Sequence, residues 1–129
     1  MTTHPLVLIA EDDRDIRDLL SYTFEKAGFR TVTADDGRSA AEILIHDHPA
    51  AIIADVRMPN LTGTDLCQLV RRDPRLRDIA IVLLSANIQP EDITEGMTAG
   101  ADRYFTKPTS LHHLVEEVEE VLTRHLHDR

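Results

Sequence analysis

Oxygen-bearing and cationic side chains recur in this sequence just past short apolar runs. Glu11-Asp12-Asp13 follows Leu6–Ala10, Asp55 follows Ala51–Ala54, Ser85-Ala86 follows Ile79–Leu84, and Thr106-Lys107-Pro108 closes a run that begins at Arg103. If these run ends meet, several carboxylates share one place with a hydroxyl and an ammonium. Crowded carboxylates repel, and they cannot all stay ionised without a partner. A hard divalent cation with oxygen ligands relieves that, and Mg2+ is the usual one beside phosphate. A lysine in the group pairs with a carboxylate or with a phosphoryl oxygen. A lone Asp at a strand end is ordinarily a turn or cap residue; it is the company of the others that points to chemistry.

The elements that must position these groups alternate five times. Leu6–Ala10 reads as a strand covered on both faces. Ile16, Leu19, Leu20 and Phe24 follow at helical spacing, and Gly28 suits the left-handed position after the helix. Arg30–Ala34 is β-branched, Asp36 can cap a helix carrying Ala40, Ile43 and Leu44, and Pro49 closes that unit. Ala51–Ala54 is the third strand, and a loop with Pro59 and Gly63 leads to a helix marked by Leu66, Leu69 and Val70 that Pro74 ends. Ile79–Leu84 is the most apolar strand, Arg103–Thr106 is a short fifth one, and Leu111, Leu114, Val115, Val118, Val121 and Leu122 mark the last helix. The helix over Pro90–Ala99 has the poorest pattern, with Gly96 in its interior; such a Gly is destabilising by about 0.5–1 kcal/mol relative to Ala. Five strand–helix units predict an α/β protein with a doubly wound parallel sheet of five strands and five helices. In such sheets ligands bind beyond the carboxyl ends of the strands, which is where the acidic groups, Ser85 and Lys107 fall. Only the second strand ends blandly.

Length and composition narrow the classes. The 129 residues predict a single domain over 1–129, with a core from about 6 to 122. A balance of 14 basic against 23 acidic residues, a net charge of −9, argues against direct nucleic-acid binding. The densest basic group, Arg71-Arg72 with Arg75 and Arg77, is interleaved with Asp73 and Asp78. No apolar run is long enough to span a membrane, and no leader pattern opens the chain, so a cytoplasmic location is expected. The single Cys67 excludes an internal disulfide and reads as a packing residue. The seven histidines lack zinc-ligand spacing and read as solvated. The turn after the first strand is acidic rather than Gly-rich, so P-loop and dinucleotide readings are poor.

Taken in order, these pieces resemble the receiver domain of two-component response regulators, of the chemotaxis-regulator kind, whose fold is flavodoxin-like. The resemblance runs from about Leu6 to Leu122 and rests on Val7–Asp13, Ile52–Pro59, Gly63, Leu83–Ala86 and Gly100–Pro108. It implies that Asp55 is the phosphoacceptor, attacking a phosphohistidine of a histidine kinase or phosphotransfer protein. It implies that Asp12 and Glu11, with Asp55 and the Arg57 backbone carbonyl, hold Mg2+, Asp12 directly and Glu11 through water. Asp13 either shares in that or simply places charge at the start of the first helix. It further implies that Lys107 pairs with Asp55 and later with a phosphoryl oxygen, that Ser85 bonds the phosphoryl group, and that Tyr104 is the switch aromatic. The Lys107-Pro108 bond is expected to be cis. Phosphorylation is expected to move the 90–99 helix and to change partner binding on the 90–122 face.

Some positions depart from the family. Thr109 follows Lys107-Pro108 where an apolar or aromatic residue is common, and Arg57 and Asn87 border the phosphoryl entry. The last helix is acidic, with Glu116-Glu117 and Glu119-Glu120, and lacks the charge pattern of the dimer face of transcription-factor receivers. Monomer and phosphorylation-dependent dimer stay open. So do a stand-alone switch, a receiver portion of a longer regulator with an output domain, and a pseudo-receiver acting by binding alone. None of these is an enzyme in the turnover sense. An aspartyl phosphatase of the haloacid-dehalogenase type needs a second Asp two residues after the nucleophile, and position 57 is Arg.

Overall fold

The computed structural model describes residues 4–86, 89–107 and 109–127. Its elements alternate as expected: β1 (Leu6–Ala10), α1 (Arg14–Lys26), β2 (Arg30–Ala34), α2 (Gly37–Asp47), β3 (Ala51–Asp55), α3 (Gly63–Arg72), β4 (Ala80–Ser85), α4 (Pro90–Ala99), β5 (Arg103–Thr106) and α5 (Leu111–His127). The sheet is parallel throughout, in the order β2-β1-β3-β4-β5. The strand order therefore reverses between β1 and β3, the crevice where doubly wound sheets bind ligands.

Residues alternate between two cores because successive side chains of a strand point to opposite faces. Val7, Ile9, Ile53, Val82 and Leu84 pack with Leu20 and Phe24 of α1 and Leu114, Val118 and Val121 of α5. Leu8, Ile52, Ala54, Ile81 and Leu83 pack with Ala40 and Leu44 of α2 and Leu66, Cys67 and Val70 of α3. Phe24 is fully buried, a contribution of about 1.5–3 kcal/mol, and meets Phe29 edge to face with ring centroids 5.4 Å apart.

Local signals set the helix ends. Asp13 caps α1 through Oδ1, which accepts the Asp15 and Ile16 amides at 2.9 and 3.2 Å. Gly28 takes the left-handed backbone after α1, with φ 99°. Thr62 and Asp65 form a reciprocal capping box at α3. Strand β4 begins and ends one residue later than its apolar run suggests. The Ile79 carbonyl accepts Arg71 Nη1 at 2.7 Å and its amide bonds Leu76 O, while Ser85 pairs with Thr106.

The tie that closes the amino-terminal side of the sheet was not legible in the sequence. The Arg71 guanidinium donates to the carbonyls of Gly100, Arg77 and Ile79 and to Asp102 Oδ2 at 3.0 Å. The same Asp102 oxygen accepts the Ile81 amide at 2.8 Å. His125 lies between the Asp78 carbonyl at 2.6 Å and Asp102 Oδ1 at 3.2 Å. The solvated reading of the histidines therefore fails at His125, whose ring joins α5 to the turn before β5.

Candidate phosphoacceptor site

Three of the four sheet ladders run one residue past their strands, and that extra bond fixes the acidic and basic groups. The Glu11 amide donates to Ala34 O at 3.0 Å, Val56 to Leu84 O at 2.8 Å, and Lys107 to Ser85 O at 2.7 Å. Glu11, Asp55 and Lys107 thereby meet across β1, β3 and β5. Lys107 Nζ donates to Glu11 Oε1 at 2.6 Å and to Asp55 Oδ2 at 2.8 Å. Carboxylate oxygens of Glu11, Asp12 and Asp55 lie within 4.8 Å of one another.

Glu11 is 1% exposed and Asp55 8%, while Asp12 is exposed. Burial pushes the Glu11 carboxyl up to about 7, against the lowering effect of the Lys107 ammonium. Burial also works against the Lys107 charge, but the bonds to Asp55 and Glu11 outweigh it and hold Lys107 above its ordinary value. Three carboxylates and one ammonium leave the cluster short of positive charge. Its oxygen-only donor set fits a hard divalent cation such as Mg2+.

The turn that carries the acidic pair is braced from α1. Arg17 Nη1 donates to the Glu11 carbonyl at 3.0 Å, and the Asp13 amide donates to Glu11 Oε2 at 3.2 Å. The Asp13 carboxylate is not in the cluster and is engaged in capping α1. The Arg57 amide donates to Asp55 Oδ1 at 3.1 Å, and the residue is exposed. Gly63 lets α3 start against β3: its amide bonds Val56 O at 2.9 Å, and a Cβ there would lie 2.6 Å from Asp55 O. Ser85 ends β4 with no exposed surface. Asn87 and Pro108, and with them the expected cis bond, lie outside the described residues.

Tyr104 pairs with Leu83 in the β4–β5 ladder, two residues before Thr106, which pairs with Ser85. Its ring packs against Leu83 and Gly96, and its buried hydroxyl has no hydrogen-bond partner among the described residues. Cys67 is buried in the core as expected, and burial pushes its thiol up to about 11. One contact near the site escaped the sequence reading. Asp36 caps α2 by accepting the Ser39 amide at 2.7 Å, and Asn60 Nδ2 donates to its second oxygen at 2.8 Å. The bland end of the second strand is thus a contact to the loop after Asp55.

A doubly wound sheet with a lysine-bridged carboxylate cluster at its β1/β3 reversal defines the class. Residues 7–119 match the response regulator receiver domain family, and the chain belongs to that family of two-component signalling domains. It is 36% identical over 120 residues to the DNA-binding dual master transcriptional regulator RpaA of Synechocystis, covering 93% of this chain and 50% of RpaA. It is 36% identical to the phosphate regulon transcriptional regulatory protein PhoB of Klebsiella pneumoniae, covering 92% of this chain and 52% of PhoB. The chain thus spans about half the length of these relatives. Among solved structures, the Francisella response regulator 1452 receiver domain superposes with a TM-score of 0.87 at 32% identity, covering 94% of this chain and 98% of that one. The chemotaxis response regulator CheY4 of Vibrio cholerae does so at 0.86 and 32%, covering 92% and 99%. Among the described residues no helix is long and apolar enough to cross a membrane.

Proposed function

We propose that this receiver domain takes a phosphoryl group onto Asp55 from a phosphohistidine of a histidine kinase or phosphotransfer protein. The observation that carries this is the Lys107 ammonium held on Asp55 Oδ2 at 2.8 Å, with the Glu11 and Asp12 carboxylates alongside. An Asp55 oxygen attacks phosphorus, the P–N bond breaks, and its electron pair leaves with the imidazole, which takes up a proton. An acyl phosphate remains. Mg2+, held by Glu11, Asp12, Asp55 and the Arg57 carbonyl, would neutralise charge on the transferred group. Lys107 offers a second positive charge to the phosphoryl oxygens, and Ser85 a hydroxyl. The buried position of Asp55 limits water at the acyl phosphate. The chain is a phosphoacceptor rather than a turnover enzyme, and the location that goes with this chemistry is the cytoplasm.

The new charge draws Ser85 and Lys107 toward it, and α4 shifts beside Tyr104, changing what the 90–122 face binds. The coverage of RpaA and PhoB by half supports an output domain as the downstream partner, a DNA-binding one if this chain shares the architecture of RpaA.

Intact-mass measurement after incubation with acetyl phosphate tests the reading. One phosphoryl adduct is expected that needs Mg2+ and is lost in Asp55→Asn. An unmodified wild type, under conditions where another receiver reacts, would leave a pseudo-receiver that signals by binding alone.

A further inference from the structure

The loop from Val56 to Thr62 runs from the phosphoacceptor to α3, and it carries Arg57. One end closes on itself through the Gly63 amide and Val56 O, 2.9 Å apart. Its far end is hitched to a different element, the start of α2. Asn60 Nδ2 reaches Asp36 Oδ2 at 2.8 Å, and the Gly37 amide reaches Pro59 O at 3.3 Å. Gly37 packs so tightly on Leu61 that a Cβ there would run into the Leu61 backbone. Asn60 itself adopts φ 72°, a left-handed conformation that Asn and Asp tolerate better than other side chains. Both groups of the Asn60–Asp36 bond are at the surface, so burial does not hold them together.

We propose that the Asn60–Asp36 bond is a latch that positions the phosphoacceptor loop, with Asn60 and Asp36 as positioning residues. The latch keeps the Arg57 amide on Asp55 Oδ1, 3.1 Å away, and keeps the following carbonyl where a cation can use it. This rests on the phosphoacceptor reading and adds the device that orients its loop. Neither residue is a member of the carboxylate cluster of Glu11, Asp12 and Asp55.

A charge swap tests it. Asn60→Asp keeps the left-handed backbone but sets two carboxylates against each other. The expected result is about a tenfold loss in Mg2+ affinity and in phosphorylation rate by acetyl phosphate, equivalent to about 1.4 kcal/mol. The added negative charge alone would strengthen Mg2+ binding, so the expected change has the opposite sign to a plain charge effect. Asp36→Asn with Asn60→Asp restores the bond with donor and acceptor exchanged and returns both quantities to within about twofold of wild type. Hydrogen exchange at the Arg57 amide without metal is expected to quicken in Asn60→Asp and recover in the swap. That readout needs neither cation nor phosphate, so it judges the latch even if the wild type takes no phosphoryl group. Unchanged Arg57 exchange and Mg2+ affinity in Asn60→Asp, or a swap that fails to recover them, would overturn the proposal.

Discussion

The Tyr104 ring occupies the space that a side chain at Gly96 would need. A Cβ at Gly96 would lie 2.8 Å from Tyr104 Cδ2 and 3.0 Å from Cε2, with Leu83 Cδ1 at 3.1 Å. The interior Gly that weakens α4 by its helix propensity is therefore the residue that admits the ring beneath the helix. Gly96→Ala is expected to lower the melting temperature, because overpacking costs about 1–3 kcal/mol and exceeds the helix gain. In a Tyr104→Ala background the same change should be neutral or stabilising, since the helix gain remains and the Leu83 methyl at 3.1 Å need give by only a few tenths of an ångström. A loss of stability in both backgrounds would show that the ring is not what excludes the side chain. Tyr104→Phe removes a buried hydroxyl that has no partner among the described residues and is expected to gain about 1 kcal/mol in urea unfolding.

Glu11 predicts a particular pH dependence. Its carboxyl is raised by burial from 4.5 to about 7 in the folded chain. Between those values the folded state holds a proton that the unfolded state has released, so stability falls as pH rises through the window. Without divalent cation, urea midpoints followed from pH 4.5 to 8 should show that fall, and Glu11→Gln should flatten it. Mg2+ needs the ionised form. Its affinity should climb with pH up to about 7 and then level, with proton release in calorimetry below that value. Affinity that is flat across the window would mean Glu11 is not part of the cation site.

Arg71 and Asp102 predict a structural effect remote from the cluster. Arg71→Ala leaves the carbonyls of Arg77, Ile79 and Gly100 without their donor and weakens the hold on Asp102. The pair is about one-fifth exposed, so the loss should approach the cost of breaking a buried pair, about 3 kcal/mol. Denaturant unfolding of Arg71→Ala, Asp102→Ala and the double variant measures it. A loss below about 1 kcal/mol, the scale of an exposed pair, would reduce the network to surface decoration.

Cys67 should be unreactive in the folded chain. Its thiol is 1% exposed and raised to about 11, so little thiolate exists at neutral pH. Labelling by a thiol reagent at pH 8 should proceed at the rate of opening and track denaturant concentration. Rapid labelling of the native protein would contradict the packing.

Local signals reached far into this fold. The caps Asp36 and Gly28, the apolar runs and the spacing of α5 follow from backbone preferences that act within a few residues, and the structure carries them almost unchanged. Even α4, with its poor pattern, spans Pro90–Ala99. The reading went astray where side chains reach across elements. Asp36 looked like a cap and is also a partner of Asn60; His125 looked solvated and bonds Asp102; Arg71 looked like one of a scattered basic group and ties three carbonyls. No periodicity marks such contacts, because the residues are distant in the chain.

By itself the sequence determined the alternation of strands and helices, and with it that Glu11, Asp55, Ser85 and Lys107 fall at strand ends. Periods of two and 3.6 are local properties, and a parallel sheet places all its strand ends on one side. Only the tertiary structure decided that Lys107 reaches Glu11 as well as Asp55, 96 and 52 positions away. Strand order and register choose which strand ends are neighbours, and burial then sets which carboxylate holds its proton.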